Sequence, residues 1–111
     1  MDTLEAWRDV IERILSEYAA VPYRYGDVRT EVVFDRAHDR YLIVDTGWER
    51  GNRVYGTIMH VDIIDGRVWV QYDGTDRGVA LELADAGIPR DKIVLGFREP
   101  DLRKYTGFAA A

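Results

Sequence analysis

His60 and Asp62 stand two residues apart in one β-rich run, with Trp69 and Gln71 in the next. A carboxylate beside an imidazole can orient it as a general base or contribute to a metal site. Zinc, however, asks for three or four nitrogen, sulfur or oxygen ligands. The chain has only two histidines, and the other, His38, sits in a charged loop. Cross-strand hydrogen bonding on a solvated or contact surface accounts for His60 and Asp62 more simply. A second acidic group, Asp73-Gly74-Thr75-Asp76, lies just beyond. Together with Asp62, the carboxylates of Asp73 and Asp76 could hold Mg²⁺ in a metal-dependent hydrolase or nuclease. The spacing is not that of an EF-hand loop, and a strand end followed by a helix cap explains the same residues. Gly47 and Gly51 flank Trp48 without forming a phosphate-binding glycine loop. The single serine, Ser16, lies in a helical stretch and there is no cysteine, so serine or cysteine nucleophiles are excluded. No cofactor is expected.

The element that must position His60 and Asp62 is a hairpin. Asp65-Gly66 separates two β-rich runs and suits a two-residue turn with positive φ at both central residues. Such a turn fixes the register. Ile63 then faces Val68, Asp62 faces Trp69, Val61 faces Val70, His60 faces Gln71 and Met59 faces Tyr72. Alternation gives a core face of Met59, Val61, Ile63, Val68, Val70 and Tyr72. The opposite face carries His60, Asp62, Arg67, Trp69, Gln71 and Asp73, and is the place to look for function.

Around the hairpin, Leu4, Trp7, Val10, Ile11, Ile14, Leu15 and Tyr18 recur at helical spacing. Asp2 and Glu5 have the form of a capping box, and Pro22 ends the helix. The YRYGD stretch from Tyr23 to Asp27 reads as a loop. Strands are expected at 30–34, 41–48 and 54–64. A tight loop over residues 49–52 would put Leu42 and Val44 on the core face, and Tyr41, Ile43 and Asp45 on the polar one. Thr75 or Asp76 can cap a second helix from about Arg77 to Ala86, stopped by Gly87. Ile93-Val94-Leu95 is either a fifth strand or a segment laid over the core. Trp69 needs cover, from a partner, from a second copy, or from the tail with Tyr105 and Phe108 folding back.

At 111 residues the chain is expected to be one domain, 1–111, able to bury a single core. Without cysteine, a signal-type N-terminus or a bilayer-length apolar run, it reads as soluble and cytoplasmic. Its net charge of −5 lowers the prior for duplex DNA, whose binding rests on Lys and Arg meeting phosphates. A protein partner or a modest ligand fits better.

Four stretches in order are DRYLIVDTGW (39–48), HVDIIDGRVWVQYDGT (60–75), AGIPRDKIVLGF (86–97) and RKYTGFA (103–109). Together they resemble the XisI family, the excision controlling factor proteins linked to the fdxN element of cyanobacteria. The resemblance spans essentially the whole chain. It implies a part in programmed DNA excision, with a separate recombinase doing the strand chemistry. It also implies a XisH-type companion of nuclease-like fold, whose basic surface an acidic protein could shield. Many relatives carry histidine where this chain has Tyr55 and Arg98, and no catalytic residue carries over.

The expected fold is α+β: an N-terminal helix, a four-stranded antiparallel meander, a second helix and a short C-terminal segment. The expected function is non-enzymatic control of excision by binding a XisH-type protein. Contact is expected through His60, Asp62, Trp69, Gln71 and Asp73, then Arg103, Lys104 and Tyr105. The rivals are the Asp62–Asp73–Asp76 metal site, direct DNA contact by the basic tail around Arg103 and Lys104, and a homo-oligomer.

Overall fold

A computed structural model describes residues 3–21, 26–75 and 78–111. The expected caps and breaker at Asp2, Asp76 and Pro22 lie outside the described residues, as does most of the YRYGD loop. Helix α1 (Thr3–Ala19) follows from its apolar stripe, burying Ile11, Ile14 and Leu15. Strands β1 (Asp27–Asp35), β2 (Arg40–Glu49), β3 (Asn52–Ile64) and β4 (Arg67–Asp73) form the antiparallel meander. Helix α2 (Val79–Asp85) leads through a 3₁₀ turn at Arg90–Lys92 into β5 (Ile93–Leu95). The fold departs from the four-stranded expectation here: β5 is a fifth strand and runs parallel to β4. A helical crossover returns the chain to the same end of the sheet, so the new strand must run parallel. The sheet is therefore mixed, in the order β1-β2-β3-β4-β5.

Both helices lie on one side, α1 against β1 and β2 and α2 against β4 and β5, and they touch each other. The core between the layers holds Tyr41, Ile43, Met59, Val61, Val68, Val70, Leu83 and Ile93, all fully buried. Among the described residues no helix is long and apolar enough to cross a membrane.

The turn at Asp65-Gly66 has φ of 50° and 76°, as its sequence demands. Arg50-Gly51 repeats the geometry, with φ of 51° and 77°, between the paired Glu49 and Asn52. Away from these turns two bulges alter the expected faces. On β3, Met59 pairs with Ile43 and Thr57 with Val44, leaving Ile58 as an extra residue. Tyr41, Ile43 and Asp45 consequently face the core side and are buried, while Leu42 and Val44 face outward. That inverts the expected assignment of β2. On β4, Val70 pairs with Val61 and Tyr72 with His60, so Gln71 is extra. Tyr72, expected in the core, is half exposed, and Asp73 turns to the helix side. An inserted residue has this effect because side chains alternate with a period of two.

A polar clamp ties α1 to the sheet. The Arg8 guanidinium grips Asp39 with two bonds, Nε to Oδ1 at 2.7 Å and Nη2 to Oδ2 at 3.1 Å. Tyr41 donates its hydroxyl to Asp39 Oδ1 at 2.9 Å. Arg36 reaches from the β1–β2 loop to Glu5, Asp9 and Glu12 along the helix. Arg8, followed by the Tyr41 hydroxyl, holds the Asp39 carboxyl below the usual carboxylate range, against the opposing effect of partial burial. Burial and the neighbouring Asp39 carboxylate push the Tyr41 hydroxyl up. Because the folded carboxyl of Asp39 is lowered, its contribution is complete above its unfolded value, about 3.9, and is lost as pH falls through the folded value. Asp39→Ala is expected to lower stability by about 2 kcal/mol at neutral pH. In urea titrations, Asp39→Asn is expected to lose less stability than the natural chain on acidification below about pH 4; an identical acid dependence would show that the clamp carries none of it.

Candidate functional site: the helix-free face of the sheet

With both helices on one side, the other face of the sheet is left to its own side chains and the tail. Asp62 occupies its centre and is 2% exposed. Three donors surround its carboxylate. His60 Nε2 lies 2.8 Å from Oδ1, and Gln71 Nε2 and Arg40 Nη1 lie 3.3 and 3.4 Å from Oδ2. Register explains each neighbour. Arg40 faces Asp62 across the β2–β3 ladder, and Trp69 faces it from β4. Gln71 is the extra residue of the second bulge and reaches back along β4.

The tail covers Trp69. The Arg103 guanidinium lies 5.1 Å from the Trp69 ring centre. It also donates to the carbonyls of Arg98 (Nε, 3.1 Å) and Gly96 (Nη2, 3.4 Å). Gly96 permits the approach: its N–H bonds Val70 O at 2.8 Å, and a Cβ there would stand 3.2 Å from that oxygen and from Trp69 Cε3. So the tail folds back, as one of the expected covers had it, but through Gly96 and Arg103 rather than Tyr105 and Phe108. Phe108 instead sits beneath the Arg90 guanidinium, and Tyr105 is 76% exposed beside Lys104.

Of the expected contact residues, His60, Asp62, Trp69, Gln71 and Arg103 thus converge. Lys104 and Tyr105 stand apart on the 3₁₀ turn Pro100–Tyr105. Asp73 belongs to the other side. Its Oδ1 accepts from Thr75 N (2.9 Å) and Thr75 Oγ1 (2.5 Å), and its Oδ2 from Val79 N (2.7 Å). Gly78 stands at the N-cap of α2 without a side chain to offer, so Asp73 accepts the first N–H of the helix, the part the sequence suggested for Thr75, which itself bonds Asp73. Since Asp62 and Asp73 face opposite sides of the sheet, the two cannot share one ion. Among the described residues no group of three His, Asp or Glu side chains could hold a metal. Ser16 lies on α1, across the sheet from His60, so the Asp62–His60 pair has no serine to activate.

Farther along the same face, nothing in the described chain covers a second group. Trp48, Tyr55 and Tyr72 are 54%, 73% and 50% exposed. Trp48 pairs with Arg53 across the β2–β3 ladder, and the Arg53 guanidinium lies 5.4 Å from its ring centre. Trp48 was visible in the sequence as a second tryptophan. Tyr55 shares its face with Trp48 through the unbroken ladder from the Arg50-Gly51 turn, but the three stand on the helix-free side only because of the bulges at Ile58 and Gln71, which nothing in the sequence marks. The side chain of Arg40 could have been placed beside Asp62 only with the β2–β3 register in hand.

The family model described as XisI protein matches residues 1–110. The chain belongs to the XisI family. A XisI-like protein from Anabaena variabilis ATCC 29413, known at 1.30 Å, superposes with a TM-score of 0.91 at 35% identity, covering 98% of this chain and 100% of that one. The fdxN element excision controlling factor XisI from the same organism superposes with a TM-score of 0.82 at 32% identity, covering 99% and 100%. No curated protein matches. The fold of this chain is therefore the XisI fold over its whole length.

Removing the cap carboxylate tests the corrected place of Asp73. Asp73→Ala is expected to cost about 1 kcal/mol of stability in urea unfolding, and to leave contacts made by the helix-free face unchanged. Unaltered stability would rule out the capping role.

Proposed function

We propose that this XisI-family protein is a non-catalytic accessory factor in the excision of a DNA element. It works by docking a XisH-type protein of nuclease-like fold on the helix-free face of its sheet. The excision role rests on likeness to the fdxN element excision controlling factor. One observation carries the docking reading: Trp48, Tyr55 and Tyr72 stand half exposed or more on a face the helices leave bare, with the Arg53 guanidinium over the Trp48 ring. Tryptophan, tyrosine and arginine are the residues that most often carry binding energy at protein contacts. The buried Asp62 network beneath them stiffens the platform.

Acid shielding plays a smaller part than the net charge alone would give it. Glu5, Asp9 and Glu12 already face Arg8 or Arg36, on the opposite side of the molecule. Direct DNA contact by the tail is weakened in the same way, since Arg103 lies on Trp69.

Co-expression with a XisH-type protein and calorimetry of the purified pair test this reading. A complex is expected. The double variant Trp48→Ser/Tyr55→Ser is expected to weaken it at least about tenfold, while Tyr105→Ser changes it little. Absence of a complex would remove the partner. An unweakened double variant would remove the face.

A further inference from the structure

We infer that β1 is a dimerisation edge, pairing antiparallel with the β1 of a second copy to join two sheets into one. The inference is independent of what docks on the helix-free face. Strand β1 lies at the end of the sheet and pairs only with β2 among the described elements. It is nine residues long and its ladder with β2 runs without a register break. Edges left open in native proteins are normally blunted by short length, charged side chains, lysine above all, proline or a bulge. β1 is neither short nor bulged and has no lysine or proline. Its charges, Asp27, Arg29, Glu31 and Asp35, are of both signs and so can pair with those of a second copy, and its centre presents Val32 and Val33 at 38% and 51% exposure. The opposite edge is treated differently: β5 has three residues, and Val94 is bridged by Ala109 of the tail. One edge is capped and the other is open, so pairing closes at two copies instead of growing into a filament.

Charge selects the register. A two-fold axis normal to the sheet must pair residues of the same face, so the axis passes through a residue. Centred on Glu31, it would set Glu31 against the partner's Glu31 and Asp27 against the partner's Asp35. Centred on Thr30, it sets Arg29 against the partner's Glu31 twice, and Val28 against the partner's Val32 twice. Neither Arg29 nor Glu31 makes a side-chain hydrogen bond or ion pair with any described residue, so both are available. Centred on Val32, Arg29 would meet the partner's Asp35, but Asp35 already binds the N–H and Nδ1 of His38. Opposite charges directly across strands stabilise a ladder and like charges oppose it.

Sedimentation equilibrium of the full chain, over a wide range of protein concentration, reads the outcome. The natural chain is expected to dimerise. Glu31→Arg sets arginine against arginine twice and is expected to weaken dimerisation about tenfold or more, with the circular dichroism spectrum unchanged. The exchange Arg29→Glu/Glu31→Arg restores the opposite-charge pairs and is expected to recover the dimer. A natural chain that stays monomeric, a dimer indifferent to Glu31→Arg, or an exchange that fails to restore association would each overturn the inference.

Discussion

One inserted residue in a β-strand turns every later side chain to the other face, and this sheet depends on two such insertions. Ile58 and Gln71 are those residues. The first lets β2 offer Tyr41 and Ile43 to α1 while β3 offers Met59, Val61 and Ile63 to the same core. The second releases Tyr72 to the outside and turns Asp73 toward the start of α2. Without the first, the Tyr41–Ile43 row of β2 could not lie under the same helical layer as Met59, Val61 and Ile63. Without the second, the helix-free face would lose Tyr72. Core and contact surface are thus set by the same two positions.

The sequence was legible where the backbone has a local chemical reason for its shape. Asp65-Gly66 selects a positive-φ turn, and the pairing from Ile64–Arg67 to Val61–Val70 follows from it by counting. Val61, Val68 and Val70 point inward as that counting requires. Counting failed one step later, because Gln71 and Ile58 are ordinary strand residues and bulge for tertiary reasons. The direction of β5 was equally hidden. Three apolar residues fit a strand or a core segment alike, and only the α2 crossover makes the strand parallel. Asp62 shows the limit of polarity as a guide. It lies on the polar face as counted, yet it is buried, because Arg40, His60 and Gln71 close over it.

Buried carboxylates are tolerated here because each has its own donors. Asp62 meets three side chains, and Asp45 accepts the Thr30 hydroxyl at 2.6 Å. Losing a partner from such a group costs more than the hydrogen bond itself contributes, since desolvation is then uncompensated. The Asp62 network therefore acts as a constraint on geometry more than a source of stability. It fixes β2, β3 and β4 relative to one another on the outer face. His60 is part of that constraint: with Asp62 accepting at Nε2, the imidazole is held in one orientation.

The two sides of the molecule use their cations differently. On the helical side Arg8 and Arg36 are spread over Glu5, Asp9, Glu12 and Asp39, so charge there is satisfied within the chain. On the other side Arg53 and Arg103 lie on tryptophan rings. A guanidinium held over an indole has already given up part of its side-chain freedom, so less is lost when a partner arrives. The Trp69–Arg103 pair is anchored by two carbonyls of the tail, whereas Trp48–Arg53 sits near the β2–β3 turn, where, among the described residues, Arg53 donates to Gly47 O alone, at 3.4 Å. The first pair behaves as part of the fold. The second remains half exposed and ordered by a single ring contact and one long hydrogen bond, which is the condition in which an aromatic–arginine pair gains most from being covered. That difference, more than the sign of the net charge, separates the covered Trp69 from the exposed Trp48 as a contact surface.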